Sequence, residues 1–172
     1  VAGLKTCGIR GFNLTMPNKN KIVELLDELS PEAQLIGAVN TVLNDNGKLI
    51  GYNTDGYGFM QSVRDAGHDI TGKNITVMGV GGASMAICAQ SALDGAASVH
   101  IFARRTSRYW NRTQKFAENL SAKTGCQVCL FDNDDHTALR DSIAQSYLLI
   151  NATSVGMVPD IDDTIIKDTS LF

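Results

Sequence analysis

The sequence predicts an α/β protein, in which a Rossmann-like parallel sheet flanked by helices is preceded by part of a smaller α/β domain. Beyond Gly72, four apolar runs that suit strands alternate with three segments that suit helices. The first of those runs ends in a glycine-rich turn, and a strong hairpin pattern lies well before it. Alternation of this kind is typical of parallel strands joined by right-handed helical crossovers.

In chain order, the first predicted elements are a strand over Ile9–Thr15 and a helix over Lys19–Leu29. The helix is inferred from apolar residues that recur at three- and four-residue spacing, which would give it one buried face. Ser30 and Pro31 are expected to end this helix. The recurring apolar positions are Ile22, Leu25, Leu26 and Leu29.

A hairpin is predicted next, with strands over Ala38–Leu43 and Lys48–Asn53. The connection Asn44-Asp45-Asn46-Gly47 is a strong turn signal, because Asn-Gly tolerates positive φ. Asp55 then stands where it can cap a helix over Gly56–Ala66, with an apolar inner face. The residues expected on that face are Phe59, Met60 and Val63.

A strand over Asn74–Met78 leads into Gly79-Val80-Gly81-Gly82-Ala83-Ser84, and a helix over Ala83–Leu93 follows. Unpaired N–H groups at the start of a helix attract phosphate, and glycine lets a pyrophosphate approach the backbone closely. The match to the dinucleotide-binding fingerprint is incomplete, because Ser84 occupies the third glycine position. A tight strand-to-helix turn without a ligand is the alternative.

The end of the next strand, Ser98–Phe102, indicates which cofactor is bound. An NAD enzyme usually carries an acid near that point, but Ala103 stands there and several arginines follow. Guanidinium groups suit a 2′-phosphate through bidentate, charge-assisted bonds, so NADP is favoured. A solvated basic surface is the alternative, and Tyr109 and Trp110 could either stack on adenine or pack. The arginines are Arg104, Arg105, Arg108 and Arg112.

The remaining predicted elements complete the alternating pattern. We place a domain boundary in the region 56–72. The first domain is then partial and covers 1–56, a linking helix and connection cover 57–72, and the cofactor-binding domain covers 73–172, truncated at its C-terminal end. The remaining elements are helices over Ser107–Lys123 and Asp135–Ala144, and strands over Gln127–Phe131 and Tyr147–Asn151.

Composition and charge indicate a folded protein and exclude some classes of partner. Of the 172 residues, 44% are apolar, and the formal net charge is −3, so we expect a folded core and neither nucleic acid nor a membrane as a partner. Cys126 and Cys129 have CxxC spacing but lack a second pair, so reduced thiols in a cytoplasmic protein are favoured over a zinc site or a redox pair. No metal is expected.

Polar residues cluster at element ends in the first part of the chain, where side chains can reach a cleft without disturbing a core. Lys19 and Asp55 are the most reactive pair among them. A carboxylate near a lysine in a partly dry cleft keeps the amine protonated. The amine can then donate its proton to the oxygen of a carbonyl group that receives hydride. Taken separately, a surface lysine and a plain helix cap remain the alternatives.

Five motifs in this order and spacing resemble those of the shikimate dehydrogenase family, over essentially the whole chain. The MPNK, NTDGYG and ARR forms resemble most closely the quinate/shikimate dehydrogenase branch. The motifs are Gly11–Lys19 (GFNLTMPNK), Gly37–Thr41 (GAVNT), Gly51–Gly58 (GYNTDGYG), Gly79–Ser84 (GVGGAS) and Asn151–Met157 (NATSVGM).

The resemblance implies reversible hydride transfer between NADP(H) and a ring carbonyl, converting 3-dehydroshikimate to shikimate, with quinate open as an alternative substrate. Lys19 would be the catalytic acid/base and Asp55 its partner. The remaining implied roles fall into three groups. Substrate hydrogen bonds would come from Asn13, Thr15 and Asn40, the pyrophosphate cradle from Gly79, Gly81, Gly82 and Ala83, and the surroundings of the ribose and nicotinamide from Ala103, Arg104, Arg105, Thr106, Arg108 and Ser154.

Departures from the family pattern leave alternatives open. Ala103-Arg104-Arg105 replaces Asn-Arg-Thr, and Thr106 stands where dual-cofactor members carry an acid, so NADP is favoured with NAD as the alternative. The family's carboxylate-binding serines would precede Val1, and its late tyrosine and glutamine would follow Phe172. We therefore expect a piece of a longer enzyme that alone binds substrate poorly. A remnant or sensor that binds NADP without turnover, or a dehydrogenase of another small carbonyl compound, is the competing hypothesis.

Overall fold

The structure is a computed structural model that describes residues 1–171. Two four-stranded sheets organise it, one in each half of the chain. The strands are β1 (Gly11–Asn13), β2 (Glu28–Leu29), β3 (Thr41–Asp45), β4 (Lys48–Tyr52), β5 (Asn74–Met78), β6 (Ser98–Ala103), β7 (Gln127–Asp132) and β8 (Leu148–Asn151). The α-helices are α1 (Ala2–Thr6), α2 (Pro31–Ile36), α3 (Asp55–Asp65), α4 (Gly82–Leu93), α5 (Trp110–Thr124) and α6 (His136–Gln145), and short 3-10 helices cover Val23–Leu25 and Thr169–Leu171.

The smaller sheet has the strand order β1-β3-β4-β2. Strands β3 and β4 form the expected antiparallel hairpin, joined by the two residues Asn46 and Gly47. Both have positive φ, 50° and 95°, which matches the right-handed twist of the paired strands. The hairpin prediction is therefore confirmed, and the turn places the ends of β3 and β4 nearest Asn40 and Asn53 side by side.

The helix expected over Lys19–Leu29 is wrong. Residues 16–22 form turns and a bend, Val23–Leu25 form one short 3-10 turn, and Glu28–Leu29 extend to make β2. The predicted strand over Ile9–Thr15 is also shorter, because only Gly11–Asn13 pair with β3.

Pairing with β4 explains the extended conformation at the end of this segment. The N–H of Asp27 donates to the carbonyl of Leu49 at 2.9 Å, and Asp27 Oδ2 accepts the N–H of Leu49 at 2.7 Å. The apolar residues whose spacing predicted a helix therefore do not form one buried face. Ile22 is buried, whereas Leu25 is 59% exposed.

Helix α2 was missed because Ser30 and Pro31 were interpreted as the end of a helix. They begin one: Ser30 Oγ accepts the N–H of Ala33 at 3.3 Å, and Pro31 occupies the first helical position. Gly37 ends the helix at φ 66°. Serine, proline and a closing glycine at these positions are a recognised helix signal, so the sequence contained the information.

The larger sheet is fully parallel and has the order β7-β6-β5-β8. All four predicted strands and all three predicted helices beyond Gly72 are present, with ends that shift by at most three residues. The chain order reverses direction between β5 and β8, which lie side by side. Ligands of such sheets bind at the carboxyl ends of the strands, at this point of reversal.

The main hydrophobic core lies where the parallel sheet meets the helices packed on it. Helix α4 is buried from Ser84 through Ala92, and Met60 of α3 is fully buried in the same core. A smaller core, built around Val39, Val42 and Leu49, lies under the first sheet. In the part of the chain that the structure describes, no helix is both long and apolar enough to cross a membrane.

Candidate active site

Lys19 and Asp55 meet although 36 residues separate them in sequence: Lys19 Nζ lies 2.5 Å from Asp55 Oδ2. The turns after β1 carry Lys19, and Asp55 is the first residue of α3, with Thr54 in the cap position that was expected for Asp55. The side chains are 22% and 36% exposed, so the ion pair is partly desolvated but open to solvent on one side. This is the environment that a proton-transferring pair requires.

Asn40 connects this ion pair to the neighbouring strand end. Its Nδ2 donates to Asp55 Oδ1 at 2.7 Å and to Thr54 Oγ1 at 2.9 Å, and its Oδ1 accepts the N–H of Thr54 at 3.0 Å. Both Asp55 oxygens are therefore engaged, one by Lys19 and one by Asn40. The carboxylate is held in one orientation instead of capping its own helix.

Asn13 extends the polar cluster through a residue that the sequence did not single out. Its Nδ2 donates to Thr41 Oγ1 at 2.9 Å, and Thr41 Oγ1 donates to Asn40 Oδ1 at 3.0 Å. Thr41 follows Asn40 in the GAVNT motif, which was the available signal. Thr15 lies nearby on the turn after β1 with an exposed side chain, and its carbonyl accepts the N–H of Asn18 at 2.9 Å.

The glycine loop follows β5. Gly79 has φ 108°, and a Cβ there would lie 2.8 Å from Thr153 Cγ2 and 3.0 Å from the carbonyl oxygen of Ala152. Glycine is therefore required where the loops after β5 and β8 approach. Around Gly81 and Gly82, by contrast, a Cβ would meet no atom of the described residues within 4 Å.

Open space at these two glycines lies in front of the N-terminus of α4. No side chain of residues 1–171 caps that end of the helix, so its first N–H groups point to solvent. Ser84, which breaks the strict fingerprint, is fully buried, and its Oγ donates to the carbonyl of Gly79 at 2.5 Å. Serine in place of the third glycine thus holds the loop from its buried side and leaves the side at Gly81 and Gly82 open.

The loop after β8 lies beside the glycine loop, at the point where the strand order reverses. Asn151 Oδ1 accepts the N–H of Thr153 at 3.0 Å and its Oγ1 at 2.7 Å, which forms a compact turn. Ser154 follows with an exposed side chain. Both loops at the point of strand-order reversal are therefore ordered by their own side chains.

Three exposed arginines, Arg104, Arg105 and Arg108, lie just beyond the end of β6. The guanidinium of Arg105 stacks over the ring of Trp110 at 4.6 Å, and that of Arg108 over Tyr109 at 4.8 Å. Within residues 1–171, none of the three forms a salt bridge with an acid. Unneutralised guanidinium groups beside a glycine loop at a helix N-terminus fit a cofactor that carries an additional phosphate. Ala103 is buried and Thr106 exposed at the same place.

Trp110 is only 8% exposed and lies beneath Arg105, so it packs and is not free to stack on adenine. Two of the four thiols, those of Cys88 and Cys126, are buried and so removed from surface chemistry. Burial raises the pKa of Cys88 to about 12 and that of Cys126 to about 11, so both stay protonated at neutral pH. In the described range, no group of three or more potential metal ligands is present.

Known proteins share this sequence and fold. A sequence profile described as "Shikimate dehydrogenase substrate binding domain" matches residues 1–42. A shikimate dehydrogenase (NADP(+)) of Listeria innocua serovar 6a is 47% identical over 99% of this chain and 58% of its own length. A quinate/shikimate dehydrogenase of Escherichia coli O139:H28 is 40% identical over 99% of this chain and 59% of its own length.

A solved structure extends the likeness to the fold. Shikimate 5-dehydrogenase of Listeria monocytogenes, in complex with shikimate and NAD, is 46% identical and superposes with a TM-score of 0.96, covering 99% of this chain and 59% of that one. The chain thus spans somewhat more than half the length of the relatives it matches. Sequence and fold together show that this chain is similar to the shikimate dehydrogenase family.

Proposed function

We propose that the protein carrying this chain is an NADP-dependent shikimate dehydrogenase that interconverts 3-dehydroshikimate and shikimate in aromatic amino acid (chorismate) biosynthesis. The observation that carries the proposal is the Lys19–Asp55 ion pair, 2.5 Å long and partly desolvated. A protein that merely binds or senses NADP needs no such proton-transferring pair. The 47% identical relative, itself named a shikimate dehydrogenase (NADP(+)), supports the same reaction.

In this proposal Lys19 exchanges a proton with the oxygen of the reacting ring carbon. When shikimate is oxidised, the hydroxyl proton passes to the neutral amine of Lys19; in the reduction, the ammonium form returns it to the carbonyl oxygen. Asp55 stabilises the ammonium form and orients it, because its other oxygen is fixed by Asn40. The bound cofactor would supply the hydride as NADPH in the reduction and accept it as NADP+ in the oxidation.

Substrate hydroxyls would be bound by the polar cluster around the same pair. Asn40 and Asn13 already form a continuous hydrogen-bonded chain through Thr41, which fixes their amides before a ligand arrives. Thr15 presents an exposed hydroxyl on the adjoining turn. Fixed donors and acceptors of this kind suit a small polyhydroxy cyclic acid, because a polar group that the bound ligand covers and leaves unpaired would penalise an analogue that lacks a hydroxyl.

The cofactor would occupy the crevice at the carboxyl ends of β5, β6 and β8. The fit rests on the open space in front of α4 and on the arginines without acidic partners. The pyrophosphate would be bound by Gly79, Gly81, Gly82 and Ala83, the adenosine ribose and its 2′-phosphate by Ala103, Arg104, Arg105, Thr106 and Arg108, and the nicotinamide side by Ser154.

We divide the chain by role as the sequence predicted: 1–56 for substrate, 57–72 as a linking helix and connection, and 73–172 for NADP. Each of the two larger regions contains its own sheet, which supports this division. A cytoplasmic location fits the four free cysteines, two of them buried, because reducing compartments keep thiols unpaired.

The test is a spectrophotometric assay of cofactor reduction by the protein expressed from the complete reading frame that encodes this sequence. Shikimate and quinate are each offered with NADP and with NAD. Turnover with shikimate and NADP is expected. NADP binding without turnover on either substrate would replace this proposal with the binding module, and preference for quinate would reassign the substrate within the same family.

A further inference from the structure

Helix α3 packs against α4 along a line of residues spaced four apart, which we call the α3–α4 seam: Gly56, Met60 and Arg64 of α3. Positions four apart lie on one helix face, so the three point toward the same neighbour. The first residue of α3 is Asp55, and α4 begins at the glycine loop. The seam therefore connects the two parts of the candidate active site.

Gly56 lies at the end of the α3–α4 seam that is nearest the candidate active site. A Cβ at Gly56 would overlap the carbonyl oxygen of Ala86 and would lie 2.8 Å from the Ala86 carbonyl carbon and 2.9 Å from Gln90 Cβ. Two of these atoms belong to the backbone of α4, which cannot rotate away as a flexible side chain can. Any side chain at position 56 must therefore push the two helices apart.

The rest of the seam fixes the helices further along. Ser91 Oγ contacts the sulfur of the fully buried Met60 at 3.5 Å. At the far end, Arg64 Nη1 lies 2.8 Å from Asp94 Oδ2, and Gln90 Nε2 holds the other oxygen of Asp94 at 2.7 Å. With the middle and the far end of the seam fixed, a displacement at Gly56 would tilt α3 at its Asp55 end.

We infer that Gly56 is a positioning residue: the missing side chain sets the distance between the Lys19–Asp55 pair and the glycine loop, and hence between substrate and cofactor. This inference rests on the proposed function. Hydride transfer requires reacting atoms held about 3–3.5 Å apart, and a misplacement of about 1 Å costs roughly 100-fold in rate. Relieving the Gly56 overlap demands a shift of about that size.

Gly58 supplies a matched control on the same helix. Among the described residues, no atom lies within 4 Å of a Cβ built at Gly58, and its φ is not positive. Gly58→Ala therefore makes the same chemical change, two residues away, without moving α3. It tests whether any added methyl group in this helix disturbs turnover.

The experiment compares the unsubstituted protein, Gly56→Ala and Gly58→Ala, all expressed from the complete reading frame. Steady-state kinetics are combined with thermal unfolding and calorimetric titration of NADP and of shikimate separately. We expect Gly56→Ala to lower kcat about 100-fold, while both binding constants change by less than about threefold, because each half of the site stays intact. Gly58→Ala should match the unsubstituted protein.

Other outcomes decide against the inference. A folded Gly56→Ala with unchanged kcat overturns it, and so does an equal loss in Gly58→Ala. If Gly56→Ala does not fold, Arg64→Ala, which loosens the exposed end of the same seam, must lower kcat with unchanged binding constants and Arg64→Lys must restore part of it; unchanged kcat in Arg64→Ala overturns the inference. Absence of turnover in the unsubstituted protein overturns the proposed function itself.

Discussion

The two halves of the chain differ in how far local sequence determines structure. In the half with the parallel sheet, β5 begins and ends at the residues the sequence predicts, and the other strands differ at one end by a single residue. In the half with the mixed sheet, the segment expected to be a helix forms turns and strand β2. Strands buried on both faces are continuous apolar runs, whereas a short strand at a sheet edge depends on a distant partner.

The halves also differ in how they offer binding groups. The parallel half presents backbone N–H groups at the start of α4 and surface arginines, while the mixed half presents a chain of side-chain hydrogen bonds from Asn13 to Asp55. In the mixed half each of these side chains has its own role, so deleting one should remove that role altogether. In the parallel half, the same deletion should only weaken binding.

Lys19→Ala should have the largest effect. Removing the group that exchanges a proton with the substrate should lower kcat by roughly 100- to 10,000-fold and leave NADP affinity nearly unchanged. Steady-state kinetics and calorimetric titration of NADP measure the two quantities. Lys21→Ala, an exposed lysine in the same turn region, is the control and should retain activity. Equal turnover in both variants would remove Lys19 from the mechanism.

Leucine-to-alanine changes test which leucines of the mixed half are packed in its core. Leu49 is 3% exposed and Leu25 is 59% exposed. Leu49→Ala should lower the free energy of unfolding by about 2–5 kcal/mol, whereas Leu25→Ala should change it by less than about 0.5 kcal/mol. Urea unfolding measures both. A loss of more than about 2 kcal/mol for Leu25→Ala would indicate that this residue is packed, as the helix prediction required.

Arg104→Ala combined with Arg105→Ala tests the cofactor side. Hydrogen bonds to charged groups contribute about 1.5–3 kcal/mol each, so the Michaelis constant for NADP should rise at least 10-fold. The constant for NAD, which lacks the 2′-phosphate, should rise much less. Arg140→Ala, which removes an exposed arginine of α6, is the control and should leave both constants unchanged. Equal increases for the two cofactors would contradict the 2′-phosphate assignment.

How far the site follows from sequence depends on the kind of contact. Lys19 and Asp55 could be proposed as a pair from the chemistry of their side chains, but their contact across 36 residues is set by how β1 and α3 are placed. Thr41 was missed because its role exists only once Asn13 and Asn40 become neighbours. Gly56 was missed for the same reason: a glycine required by a neighbouring helix has no local sequence signal. The glycine loop was predicted because strand, turn and helix are adjacent in sequence.

The smallest expected effect concerns His100, on β6 in the parallel half. Its Nδ1 lies 2.9 Å from Ser142 Oγ, and its ring packs edge-on against Phe131, so burial lowers its pKa from the ordinary value of about 6.5. As pH falls through about 6.5, the unfolded chain takes up a proton that the folded protein resists, so this histidine stabilises the fold above that pH and the stability is lost below it.

Urea unfolding at pH 7.5 and pH 5.5 should therefore show a smaller acid-induced loss of the free energy of unfolding in His100→Gln than in the unsubstituted protein. His136→Gln, at an exposed position, is the control and should leave that loss unchanged. An identical loss in His100→Gln would mean that the folded protein protonates His100 as readily as the unfolded chain does, and the interior of the parallel half would then be more open to water than its packing indicates.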